Sequence, residues 1–209
     1  MSERAALPWP LELARPDTCP ELQLWVLSRE VDLEAACVEL ADWQSAPYWA
    51  FCWCGGQALA RYLLDHPAEV RGRRVVDFGA GGGVAGIAAL RAGAREVVAV
   101  DCDPAARAAV LRNAQANGVS AAVAAEIPDE WDVLLAADVL YEPENRARLL
   151  AQVRAGRRLL VADPERTREH RMGLEPLARI GARTLPDVDR PICAASIFAL
   201  GEAQLPVDV

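Results

Sequence analysis

An α/β protein built on an open, mostly parallel sheet is what this chain predicts, on three observations. Apolar strand candidates alternate with helix candidates from residue 57 onward, a glycine cluster follows the first long strand, and the last two strand candidates are separated by only a few residues. Strands spaced by helices imply right-handed crossovers and parallel pairing. The closing pair is too close in sequence for a crossover and must run antiparallel.

Residues 1–46 read as an N-terminal extension, with prolines at 8, 10, 16 and 20 and a strand candidate at 22–27 (LQLWVL). A helix candidate follows at 32–43, where Leu33, Cys37, Leu40 and Ala41 share a face. The main domain is assigned to residues 47–209. Its first helix, 57–65 (QALARYLLD), stops at His66-Pro67; strand 74–78 (RVVDF) then enters the glycine cluster, and helix 84–92 ends at Gly93. Strand 96–101 (EVVAVD) leads to a helix with Asp103 as N-cap, Pro104 at its first position and Gly118 as its stop. A weak strand at 121–125 and a strong one at 131–138 precede a helix at 144–155 closed by Gly156. Strand 157–163 is followed by a helix running to about Gly181, then by strands at 182–186 and 192–200. The expected architecture is a Rossmann-like, seven-stranded, mostly parallel sheet with an antiparallel C-terminal strand pair, helices on both faces and an N-terminal extension.

Composition narrows the function classes. At 209 residues the chain is long enough to bury a core without disulfides or metal. Its net charge is −8 and all 22 basic residues are arginine, with no basic run, which is a poor match to nucleic acid. Six cysteines, at 19, 37, 52, 54, 102 and 193, show no repeated C-x2-C spacing, and the two histidines stand apart, so neither a disulfide framework nor a metal site is expected. No apolar run approaches the roughly 20 residues that span a bilayer, so no membrane association is expected, and the expected compartment is the cytoplasm.

The segment VVDFGAGGGVAG (75–86) lies where a nucleotide-binding loop must lie, between a parallel strand and the next helix. Two templates match it. Gly81-x-Gly83-x-x-Gly86 satisfies a dinucleotide fingerprint, with Asp101 as the ribose acid; Asp77-x-Gly79-x-Gly81-x-Gly83 matches an S-adenosylmethionine loop. The second has the better register, because the strand ends at Asp77 and the dinucleotide match starts too late. A carboxylate at that point also suits a cationic cofactor better than a pyrophosphate.

With DFGAGGG (77–83), Asp101 and DVLYE (138–142), the chain resembles the seven-β-strand class I methyltransferases. PYWAFCWCGGQALARYLLDHP (47–67), ADPER (162–166) and the closing strands narrow the resemblance to the Asp-x-x-Tyr protein-lysine methyltransferases. Within these it is similar to the group that acts on the electron transfer flavoprotein β subunit and to bacterial relatives labelled nicotinamide N-methyltransferase-like. The resemblance implies S-adenosyl-L-methionine as cofactor and a protein substrate, with a small amine as the alternative acceptor and a dinucleotide-dependent oxidoreductase as the more distant reading. It further implies that the Gly79, Gly81 and Gly83 backbone approaches the methionine half, Asp77 supports its amino group, Asp101 accepts from the ribose, and Cys102, Glu126 and Ala137 line the cofactor site. Asp138 and Tyr141 would orient the substrate amine. Cys52 and Cys54 depart from the small residues expected at those positions.

Methyl transfer to lysine requires a neutral amine, and deprotonating one of pKa about 10.4 at pH 7 costs about 4.6 kcal/mol. An adjacent carboxylate raises that pKa, so Asp138 is expected to capture and orient the ammonium rather than to act as a strong base. In PYWAFCWCGG (47–56), Trp53 is expected to wall the cofactor, Trp49 and Phe51 to pack the extension onto the sheet, and the cysteines to face away. Arg166 is a candidate contact for an acidic substrate surface.

Overall fold

The computed structural model describes residues 9–31, 46–154, 158–164, 174–189 and 192–201. The helix expected at 32–43, its stop signal Gly156 for the later helix, and Arg166 lie outside them.

A small antiparallel hairpin, β1 (Leu11–Ala14) and β2 (Leu24–Leu27), precedes the main sheet. The main sheet contains β3 (Arg74–Phe78), β4 (Glu96–Val100), β5 (Ala122–Ala124), β6 (Val133–Ala137), β7 (Arg158–Asp163), β8 (Ala178–Gly181) and β9 (Ala194–Leu200). Their order is β5-β4-β3-β6-β7-β9-β8, and only β9 runs against its neighbours. The helices are α1 (Cys54–Asp65), α2 (Val84–Arg91), α3 (Pro104–Ala116) and α4 (Pro143–Arg154).

The central strand β6 (VLLAA) is apolar at every position, and β3 and β7 are apolar in their middles, because both faces are covered. In β6, Val133 and Leu135 join α1 and α2 in one core, while Leu134 and Ala136 join Leu149 and Val153 of α4 in the other. β7 repeats this, with Leu160 and Ala162 on the first side and Leu159 and Val161 on the second. Each fully buried leucine here contributes about 1.5–3 kcal/mol from burial. The hairpin shares a third cluster with α2 and α3: Cys19, Leu22, Leu24 and Val26 pack with Ile87 and Ala88 of α2 and Ala114 of α3. Among the described residues no helix is long and apolar enough to cross a membrane.

Three local expectations need correction. β1 was not expected; its LELA segment lies between Pro10 and Pro16, and prolines tolerated at strand ends read as loop. The first helix begins at Cys54, three residues before Gln57, because its free N–H groups are satisfied from elsewhere in the fold. Cys54 N–H donates to Thr184 Oγ1 at 3.2 Å and Gly56 N–H to Asp138 Oδ2 at 3.1 Å, a cap no local sequence rule reveals. The third correction concerns the strand before β9. It is Ala178–Gly181, where a helix was expected, and residues 182–186 contribute only the Leu185 bridge to Cys52. ARIG alternates partly buried and exposed positions along a sheet edge, and four residues are too few to separate that period from a helical one. The N-cap expectation for α3 holds: Asp103 Oδ1 accepts from Ala105 N–H at 2.7 Å.

Candidate functional site

The C-terminal ends of β3 and β6 and the glycine loop border one narrow cleft, at the edge where open α/β sheets take their ligands; Gly83, Asp101 and Tyr141 are not among its lining residues. Trp53, Asp77, Gly79, Gly81, Ala137 and Asp138 line it, so six of the expected site residues meet there. The glycine loop is strapped to the end of β4: Gly79 and Ala80 N–H groups donate to the Val100 carbonyl at 2.9 and 3.1 Å. Gly79, Gly81 and Gly83 all have positive φ, at 67°, 51° and 81°. A Cβ added at Gly81 would meet nothing nearer than Trp49 Cα at 3.9 Å. The loop therefore leaves open, beside two carboxylates, the space that a side chain would fill.

Asp101 fixes that loop from β4. Its Oδ2 accepts from Gly81 N–H at 2.9 Å and its Oδ1 from Asp103 N–H at 3.0 Å. Both bonds leave carboxylate lone pairs for hydroxyl donors. Asp77 is only 3% exposed, and its Oδ2 accepts from Gly86 N–H at 2.9 Å in the first turn of α2. Burial pushes its carboxyl up to about 7, the Asp101 charge adds to this, and the Gly86 bond opposes it. The folded protein then binds more protons than the unfolded chain between about pH 4 and 7 at this site, so its stability contribution falls as pH rises through that window. Asp77→Asn is expected to remove this slope and raise Tm relative to wild type at pH 8, as a pH series of thermal melts would show. An unchanged Tm difference from pH 4 to 8 would contradict it.

Asp138 follows β6 in the left-handed region, with φ 55°, an uncommon conformation for a residue other than glycine. It is locked there: its N–H donates to the Ala162 carbonyl at 3.1 Å and its Oδ2 accepts from Gly56 N–H at 3.1 Å. The carboxylate thus sits at the N-terminus of α1, where the helix dipole favours negative charge. Gly55 makes room for it, since a Cβ there would lie 2.5 Å from Asp138 Oδ2. Gly55→Ala is therefore expected to lower Tm by about 2–8 °C despite the better helix propensity of alanine, through overpacking. A rise in Tm would show the carboxylate is not seated against α1.

Tyr141 is exposed at 59% of its surface. Partial desolvation of its phenol, followed by the Glu142 charge, with smaller effects from Tyr48, Asp101 and Asp138, holds it above the ordinary tyrosine value, so it stays a neutral donor. Cys102 and Glu126 stand apart from the cleft. Cys102 is exposed after β4, and Glu126, 82% exposed beyond β5, lies 3.9 Å from Arg148.

The aromatic segment lies over the glycine loop as a fixed cover. A Cβ at Gly82 would approach the Trp49 carbonyl at 3.1 Å. Trp53 Nε1 donates to the Tyr48 carbonyl at 2.9 Å, and its ring is 5.2 Å from that of Phe51. Trp49 and Phe51 pack against Leu27 and against Ala106 and Ala109 of α3. Cys52 and Cys54 are buried, and burial pushes the Cys52 thiol well above its ordinary value, which makes it unreactive. Sequence reasoning missed Gln57, buried and donating to the Cys52 and Arg183 carbonyls, and also Asn113 and Asn117. Their signal was present as polar residues on otherwise apolar helix faces. A larger cavity of about 710 Å³, bordered by Arg15, Arg29 and Arg183, holds none of the expected site residues.

The family model for ribosomal protein L11 methyltransferase (PrmA) matches residues 58–144. The electron transfer flavoprotein beta subunit lysine methyltransferase of Mus musculus is 35% identical over 158 residues, covering 70% of this chain and 62% of that protein. Its Rattus norvegicus counterpart is 33% identical over 180 residues, covering 80% and 70%. The chain thus spans somewhat under two thirds of the mouse protein's length. The solved structure of a putative sam-dependent methyltransferase from Streptococcus mutans shares the fold, with a TM-score of 0.59 at 12% identity over 93% of this chain and 56% of that one. On these grounds the chain belongs to the electron transfer flavoprotein β-subunit lysine methyltransferase family.

Proposed function

We propose that the protein is an S-adenosylmethionine-dependent protein-lysine N-methyltransferase whose substrate is the electron transfer flavoprotein β subunit. The observation that carries this reading is Asp138, held at φ 55° beside a cleft that the glycine loop also lines. The named activity of the relatives supports the choice of substrate.

When bound, the cofactor supplies a methyl carbon already activated by a sulfonium. The chain's own residues then have three tasks: to hold the cofactor, to align the incoming nitrogen and to exclude water. Asp101, its orientation set by Gly81 and Asp103, accepts from the ribose hydroxyls. Asp77 faces the cofactor's amino group, Gly79, Gly81 and Gly83 bring the main chain close, and Trp53 with Ala137 walls the apolar side. Cys102 and Glu126, beyond β4 and β5, would lie towards the adenine. Asp138 would receive the lysine ammonium, and once its proton is lost to bulk solvent before the site closes, the Tyr141 phenol oxygen would accept from an amine N–H and leave the nitrogen lone pair free. Asp138 and Tyr141 would hold that nitrogen in line with the methyl carbon that the cofactor would supply.

In this reading residues 1–46 are an extension, of which Leu24, Trp25 and Val26 line the cofactor cleft, and 47–209 are the catalytic domain. Among the described residues Cys19, Cys52, Cys102 and Cys193 are thiols rather than disulfides, which suits a reducing cytoplasmic setting. Thermal-shift measurements with S-adenosylhomocysteine and NAD test the cofactor. Stabilisation by S-adenosylhomocysteine alone is expected; stabilisation by NAD alone would replace the methyltransferase reading with an oxidoreductase.

A further inference from the structure

Three segments far apart in sequence meet at one buried amide. Asn113 of α3 is 1% exposed; its Oδ1 accepts from Trp25 N–H of β2 at 2.8 Å, and its Nδ2 donates to the Gly82 carbonyl at 2.8 Å. One orientation of the amide satisfies both partners, because the N–H needs an acceptor and the carbonyl a donor. Val110, one turn earlier on the same helix face, lies under the loop: a Cβ at Gly83 would be 3.1 Å from its Cγ2. Helix α3 therefore supports the glycine loop through Val110 and joins it to the hairpin through Asn113. Leu24, Trp25 and Val26 of that hairpin line the same cleft as Gly79 to Gly82.

We propose that Asn113 is a positioning residue for the cofactor loop, and that through it the β1–β2 hairpin and cofactor binding are linked. The proposal rests on the cofactor assignment made above. A loop carrying three glycines of positive φ has little order of its own, and fixing the Gly82 carbonyl removes one of its freedoms before a ligand arrives. The same amide fixes the Trp25 main chain. By reciprocity, a ligand that orders the loop must also stabilise the hairpin.

Asn117 provides the internal control. One turn further along α3, it accepts from Gln23 N–H at 2.9 Å and donates to the Gln23 carbonyl at 2.6 Å and the Asn113 carbonyl at 2.8 Å. It holds the same hairpin to the same helix, and none of its bonds reaches the glycine loop.

The test is calorimetric titration of S-adenosylhomocysteine into the full chain and its variants. Asn113→Ala and Asn117→Ala are both expected to lower Tm. Only Asn113→Ala is expected to raise Kd, by about tenfold, the equivalent of one buried hydrogen bond. Asn117→Ala should stay within about twofold of wild type on the same scale. Asn113→Asp keeps the acceptor for Trp25 N–H but loses the donor to Gly82, so it too should weaken binding; it serves if the alanine variant fails to fold. Hydrogen exchange at the Trp25 amide should slow when S-adenosylhomocysteine binds wild type, and slow less in Asn113→Asp. Wild-type affinity in both Asn113 variants, or equal weakening in Asn117→Ala, would overturn the proposal. Failure of wild type to bind S-adenosylhomocysteine would instead overturn the cofactor assignment beneath it.

Discussion

Asp138→Asn is expected to lower kcat for lysine methylation by at least about 100-fold while leaving S-adenosylhomocysteine affinity within about threefold of wild type. The substitution isolates charge from structure. Asparagine can still accept from Gly56 N–H, and it is among the residues that tolerate a φ of 55°. The loss would therefore report the missing negative charge that captures the substrate ammonium. Asp138→Ala should abolish turnover as well, but it also removes the tertiary cap of α1 and should cost about 1 kcal/mol of stability. Parallel measurement of kcat, Kd and Tm separates the two effects. Asp138→Asn with near-normal kcat would remove Asp138 from the chemistry and leave it as a helix anchor.

Asp101→Ala is expected to act on the opposite side of the reaction. It deletes the acceptors for Gly81 and Asp103 N–H groups together with the proposed ribose acceptor. Hydrogen bonds to a charged group are worth about 1.5–3 kcal/mol each, so Kd for S-adenosylhomocysteine should rise by roughly 100-fold. At saturating cofactor, kcat should recover to within a few-fold of wild type, because no group at the amine site has changed. A kcat defect that persists at saturation would show that the glycine loop also sets the methyl group's alignment.

The parts of this protein legible in its sequence are those where local chemistry and global fold agree. DFGAGGG ends a strand and opens a helix by necessity, since only glycine supplies three left-handed positions with open space at Gly81. The central strands were equally clear, because burial on both faces leaves continuous apolar runs such as VLLAA. What stayed hidden depends on partners distant in the chain. The start of α1 is set by Thr184 and Asp138, 130 and 82 positions from the N–H groups they satisfy. The hairpin is fixed by Asn113 and Asn117, which resemble any polar residues of an alanine-rich helix until their bonds are seen. Asp138 was singled out through DVLYE, whereas its bond to the Gly56 N–H at the start of α1 required the fold.

The aromatic segment PYWAFCWCGG illustrates the same boundary. Its position over the cofactor loop follows from its place before α1, and Trp53 does line the cleft. The tight fit of Gly55 against Asp138 Oδ2, at 2.5 Å for an added Cβ, joins this segment to the proposed amine site as well. Conformational freedom in the cover would loosen both halves of the reaction together.

Intact-protein and peptide mass spectrometry of purified electron transfer flavoprotein β subunit, incubated with this protein and S-adenosylmethionine, tests the central claim most directly. The expected result is a mass increase in methyl steps confined to lysine and absent with Asp138→Asn. An unmodified β subunit alongside transfer to nicotinamide or another small amine would contradict it.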